Sequence, residues 1–88
     1  MNYELSPSLS REEIEAKYGV THERLGPHPV PFGFLNAQWQ ALVAKAQPGD
    51  TWHEFATSAQ SWANLGGRAG VALVRDGQVI ETLVTMVN

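Results

Sequence analysis

The side chains with most chemistry to offer are three histidines, His22, His28 and His53, two of which precede a glutamate, Glu23 and Glu54. A zinc site takes two ligands at turn or helical spacing and a third from elsewhere. These histidines fall in three separate segments, so the sequence implies neither a metal nor a cofactor. Ser6, Ser8, Ser10, Ser58 and Ser61 form no nucleophile elbow of the Gly-x-Ser-x-Gly kind. Asp50, Glu54, Asp76 and Glu81 fall on turns or strands without the matched partner that general acid–base catalysis needs. Gly66-Gly67-Arg68-Ala69-Gly70 imitates a phosphate loop. Phosphate loops lead from a strand into a helix, whose first amides face the anion; here the glycines run from a helix into a strand. Arg68 is left to grip a carboxylate, more readily an internal one. No catalytic constellation results, and the reading is binding rather than reaction. The candidate binding residues are Trp52, His53, Glu54, Trp62 and Arg68. Tryptophan is both core mass and the residue most enriched at binding hot spots. Trp39 is expected in the core, Trp52 and Trp62 partly exposed.

The elements that must position these groups are organised around the C-terminal quarter. Two runs rich in β-branched residues flank Asp76-Gly77, the strongest short hairpin signal, because a type I′ turn needs φ > 0 at both central positions. The two-residue loop predicts Arg75 opposite Gln78, Val74 opposite Val79, Leu73 opposite Ile80, Ala72 opposite Glu81 and Val71 opposite Thr82. One face then carries Val71, Leu73, Ile80, Val84 and Met86. The other carries Ala72, Val74, Val79, Leu83 and Val87, so neither is fully polar.

Upstream, residues 1–8 read as a loose arm. Ser10-Arg11-Glu12-Glu13 is a capping box, with Leu9 and Ile14 as its hydrophobic staple, and Gly19 ends a helix over 11–18. Gly26 to Gly33 carries prolines at 27, 29 and 31, which force extended geometry. We read this stretch as a strap laying Val30, Phe32 and Phe34 over the core. Asn36 caps a main helix over 36–46 whose inner face is Leu35, Trp39, Leu42, Val43 and Ala46. Thr51 to Ala56 is a first strand, and Ser58 caps a short helix, Ala59–Leu65, with Trp62 and Leu65 inward. The fold class is α+β in the order α-α-β-α-β-β, a single domain over 1–88. A small antiparallel sheet of about three strands packs on one main helix, with the place of the first strand left open.

Bulk properties narrow the class of partner. The chain is 43% hydrophobic and 17% charged, with no cysteine, which fits a globular domain without disulfides or thiolate metal sites. Its start lacks the basic and apolar regions of a secretory signal, and no apolar run reaches membrane-spanning length; a cytoplasmic location is expected. A net charge of −3 offers no attraction for nucleic acid or an anionic membrane. Residues 14–25 imitate a helix-turn-helix. Gly26-Pro27 would cut the second helix to about one turn, too short for a major groove.

Pro48-Gly49-Asp50-Thr51-Trp52-His53-Glu54-Phe55, Ser61-Trp62 and Gly67-Arg68-Ala69-Gly70-Val71-Ala72-Leu73-Val74-Arg75-Asp76-Gly77 together resemble a group of small bacterial proteins. These end in a similar hairpin and have no assigned activity. The likeness covers roughly residues 30–88 and implies a bacterial origin; the run 51–55 departs from the group's form. A non-enzymatic protein–protein module of the immunity or inhibitor type is the first expectation. A small-ligand or anion-binding module, or a minor enzyme, using Arg68, His53 and Glu54 is the second. The two-faced hairpin also predicts a two-fold homodimer with Leu83 and Val87 near the interface.

Overall fold

The computed structural model of the chain describes residues 3–88. It is a mixed α+β domain built on a four-stranded antiparallel sheet. Strand β1 (Tyr3–Leu5) leads to helix α1 (Arg11–Lys17) and strand β2 (Gly19–Val20). A 3₁₀ turn (Glu23–Leu25) precedes strand β3 (Val30–Pro31), and a second (Gly33–Leu35) opens helix α2 (Asn36–Lys45). Strand β4 (Thr51–Thr57), helix α3 (Ala59–Ala63), strand β5 (Arg68–Arg75) and strand β6 (Gln78–Val87) complete the chain. The main sheet runs β1-β4-β5-β6, and β2 and β3 pair separately.

Local chemistry accounts for the helix ends. The Ser10 hydroxyl accepts the Glu13 amide at 3.0 Å while the Glu13 carboxylate accepts the Ser10 amide; losing such a cap costs about 1 kcal/mol. Ser58 caps α3 by accepting from the Ser61 amide. Asn36, expected as a cap, begins α2 and donates its side-chain amide to the Pro31 carbonyl. The region that imitates a helix-turn-helix continues as β2 and a 3₁₀ turn, so no recognition helix forms.

The core between helices and sheet is an aromatic ladder. Tyr18 stacks on Phe32 at 4.7 Å, Phe32 meets Trp39 at 4.8 Å, and Trp39 meets Trp52 at 4.9 Å between centroids. Offset and tilted pairs at this spacing add to the area that they bury. Ile14 from α1, Leu42 from α2 and Val71, Leu73 and Leu83 from the hairpin close around it. The Trp39 indole N–H donates to Glu15 at 2.8 Å, so this buried donor is satisfied.

Several expectations are corrected. The supposed loose arm supplies β1, because Tyr3 and Leu5 alternate with Glu4 and pair opposite Thr57, Phe55 and Ala56. The sheet therefore has four strands, with β4 between β1 and β5. In the strap, Val30 and Pro31 pair with β2 and Phe32 is buried, but Phe34 is 68% exposed. Leu65 also points outward, 76% exposed with φ 61°. It holds the left-handed position after α3, where its amide donates to the Trp62 carbonyl and that of Gly66 to the Ser61 carbonyl.

The hairpin turn forms as expected, with Asp76 and Gly77 at φ 53° and 78°. Beyond the first two pairs the register changes. Leu73 faces Glu81, Ala72 faces Thr82, Val71 faces Leu83 and Gly70 faces Val84, with irregularities that leave Ile80 and Thr85 as extra residues on β6. Each bulge shifts the pairing by one residue and exchanges the faces of the residues beyond it. Glu81 and Leu83 thus turn toward α2, where Glu81 meets Lys45 at 2.6 Å. Thr82, Val84 and Val87 turn to the opposite side with their partners Ala72, Gly70 and Arg68.

Candidate functional site

Two regions combine shape with accessible chemistry: the sheet face away from the helices, with its free edge, and a cleft at the end of α1.

The away face results from register. Leu5 lies opposite Phe55, Phe55 opposite Gly70, and Gly70 opposite Val84, so one row crosses all four strands. Its only side chains are Leu5, Phe55 and Val84. Directly paired residues share a face, and Tyr3, Ala72, Val74 and Val79 lie on this one as well. Phe55, Ala72 and Val74 form a small second core cluster, with the Tyr3 ring edge-on to Phe55 at 5.1 Å. Among the described residues no helix adds a buried side chain to this cluster, whose Phe55, Ala72 and Val74 are themselves buried: the buried residues of α1 and α2 join the other cluster, and α3 buries none of its own. Tyr3, Leu5, Val84 and Val87 remain exposed around its rim. Strand β6 is the sheet's outer strand, so its outward main-chain groups have no strand partner among the described residues.

The cleft, about 460 Å³, has Glu4, Tyr18, Glu54 and Met86 among its walls, together with Leu5, Phe55 and Gly70 of the row just described. The Tyr18 hydroxyl donates to Glu54 at 2.6 Å, and the Lys17 ammonium lies 2.8 Å from the same carboxylate. Burial, reinforced by Glu54, raises the Tyr18 phenol well above its usual range. Hydrogen bonds from Lys17 and then Tyr18 hold the Glu54 carboxyl below its usual value. Both shifts accompany the fixed contact that the trio forms.

The residues nominated from the sequence do not assemble into one site. Trp52 is 8% exposed and belongs to the aromatic ladder, which removes it as a binding residue. His53 and Glu54 are neighbours on a strand and face opposite ways. His53 hydrogen-bonds through Nδ1 to the Ser6 carbonyl and through Nε2 to Thr51, while Glu54 enters the cleft. Trp62 lies against Gly67, where an added Cβ would come within 2.2 Å of the indole. Arg68 hydrogen-bonds the Gly67 carbonyl at 2.8 Å instead of gripping a carboxylate. The carboxylates read as unmatched do find cations. Asp50 takes two hydrogen bonds from Arg75 at 2.8 and 2.9 Å, and Glu54 and Glu81 take Lys17 and Lys45.

Of the two expected interface residues, Val87 is exposed, but Leu83 is 5% exposed beneath α2. The bulge at Ile80 turns it inward, so its side chain is unavailable to a partner. The sequence reading missed Tyr3, Leu5 and Val84 as a shared surface. Its signal was the apolar doublets Val79-Ile80, Leu83-Val84 and Met86-Val87, which break strict alternation as bulges do.

Family models, curated proteins and solved structures offer no match to this chain. No helix among the described residues is long and apolar enough to cross a membrane.

Proposed function

We propose that this chain is a non-enzymatic protein-binding module that meets its partner through the uncovered sheet face and the adjoining edge of β6. The observation that carries this reading is the apolar row Leu5–Phe55–Gly70–Val84, which crosses all four strands, with Phe55 and Gly70 buried at its centre and Leu5 and Val84 exposed at its ends. Contiguous apolar surface rimmed by polar residues is characteristic of interaction sites. An immunity or inhibitor role and a bacterial, cytoplasmic setting remain compatible with that surface. Self-association would use the same face, since Leu83 lies in the core.

The test compares capture from the native host by the wild-type chain and by Leu5→Asp and Val84→Asp variants. Circular dichroism and thermal melts verify their folding. The reading predicts that both folded variants lose partners that a Glu12→Lys variant on α1 retains. Equal capture by all of them would refute it.

A second reading, small-ligand binding, is favoured by the cleft around Tyr18 and Glu54. Of the residues first nominated for it, only Glu54 lines the cleft; His53 and Arg68 belong to the other face. A thermal-shift screen with small amines and aromatic amides tests it. Loss of any hit in Tyr18→Phe or Glu54→Gln would place the ligand there.

A further inference from the structure

Strand β6 borders a second groove, about 350 Å³, between Gln38, Ala41, Leu42 and Lys45 of α2 and the segment Glu81–Val84 of β6. One wall is a helix and the other is the outer strand of the sheet. An extended peptide recognises such a place by adding a strand, its main chain bonding the edge and alternate side chains entering the groove.

The structure sets the length of what can bind. Bulges at Ile80 and Thr85 interrupt β6 and leave Glu81–Val84 as its regular window. At ~3.3 Å per residue the window is roughly 13 Å long. The usual guards are weak inside it: it contains no proline or lysine, and its one charge, Glu81, is tied to Lys45 at 2.6 Å. Bulges are devices against edge-to-edge pairing, and here they bear on a second copy more than on a short peptide. Two such windows paired about a two-fold would bury roughly a few hundred Å², below the ~1,200 Å² of a stable dimer, whereas a short peptide of that area is a weak, transient ligand.

The geometry points to a short extended peptide of a partner protein, about four residues in register, added antiparallel to Glu81–Val84 as a fifth strand. One apolar side chain of the peptide enters the groove against Ala41 and Leu42, and a polar one meets Lys45 and Glu81 at the hairpin end. This inference rests on the protein-binding reading and specifies the kind of partner.

The test selects a displayed library of random linear peptides against the full chain, then titrates the enriched peptide into isotope-labelled protein. The expected amide shifts centre on Glu81–Val84 and on α2. N-methylation along the peptide should weaken binding at least tenfold at every second position, since only alternate amides face the edge. Failure to select any peptide binding more tightly than about 1 mM overturns the inference, while the Leu5→Asp variant, outside the window, tests the protein-binding reading separately. Shifts centred on Leu5, Phe55 and Gly70 would overturn the strand-addition geometry and leave that reading standing. A doubling of mass with slowed amide exchange along β6 would make the occupant a second copy and overturn the partner class.

Discussion

Gly70 offers a severe test of the sheet, because its cost is steric rather than conformational. A Cβ built there would lie 2.0 Å from the Leu83 carbonyl oxygen and 3.0 Å from both the Leu83 carbonyl carbon and the Thr85 nitrogen. Real Cβ contacts do not fall below 3.0 Å, so β6 must retreat by at least 1.0 Å beside its second bulge. Losing two or three ladder hydrogen bonds, at ~0.5–1.5 kcal/mol each, offsets the ~0.4–1 kcal/mol that alanine gains through the unfolded chain. Gly70→Ala should therefore destabilise by roughly 2 kcal/mol. The total for a chain of this length is ~4–13 kcal/mol, and the melting temperature should fall by roughly 8–16 °C. Gly49→Ala is the control, with φ +93° and nothing within 4 Å of the added carbon; backbone strain alone should cost about 1 kcal/mol. Urea denaturation of both variants measures the difference. A Gly70→Ala midpoint at or above that of Gly49→Ala would refute the close approach of β5 and β6, and with it the bulged register that makes the away face.

Gly77→Val should destabilise by ~1–3 kcal/mol, since the turn holds that residue at φ +78°; a melt equal to wild type would mean that the turn is not type I′. Leu65→Gly should stabilise by up to ~1 kcal/mol by removing a leucine from the left-handed region; a clear loss of stability in thermal melts would show that the leucine packs. The carboxyls of Asp50, Glu54 and Glu81 are held below their ordinary values by Arg75, Lys17 and Lys45 respectively. Their contribution to stability is full above the unfolded values of 3.8 and 4.5 and is lost as pH falls through the folded ones. Urea midpoints should drop over that acid range and less steeply in Asp50→Asn; an identical acid slope in the variant would contradict the Arg75 contact.

Features set by neighbouring residues were legible from the chain. Ser10 with Glu13, Ser58, and Asp76-Gly77 each satisfy or shape the backbone within four residues, so composition and spacing suffice. Features set by distant pairing were not. Tyr3–Leu5 becomes a strand because β4 has a free side to accept it. Nothing local distinguishes such a segment from an arm. The bulge at Ile80 arises where Glu81 meets Lys45 and Leu83 enters the core beneath α2, contacts that cross more than thirty positions of sequence. One shifted residue then exchanged the two faces, which is why Leu83 was placed at an interface and Val84 was not. Trp52 was misplaced for a related reason: its surroundings come from Trp39 and Leu9, which other segments bring to it.

Site-specific photocrosslinking in the native host tests the central claim most directly. A photoreactive residue is placed in turn at Leu5 and Val84 on the uncovered face, and at Glu12 and Gln40 on the helices. The account predicts a discrete heavier adduct from Leu5 and Val84 and none from Glu12 or Gln40. Adducts from the helix positions alone, or from none of the four, would contradict it.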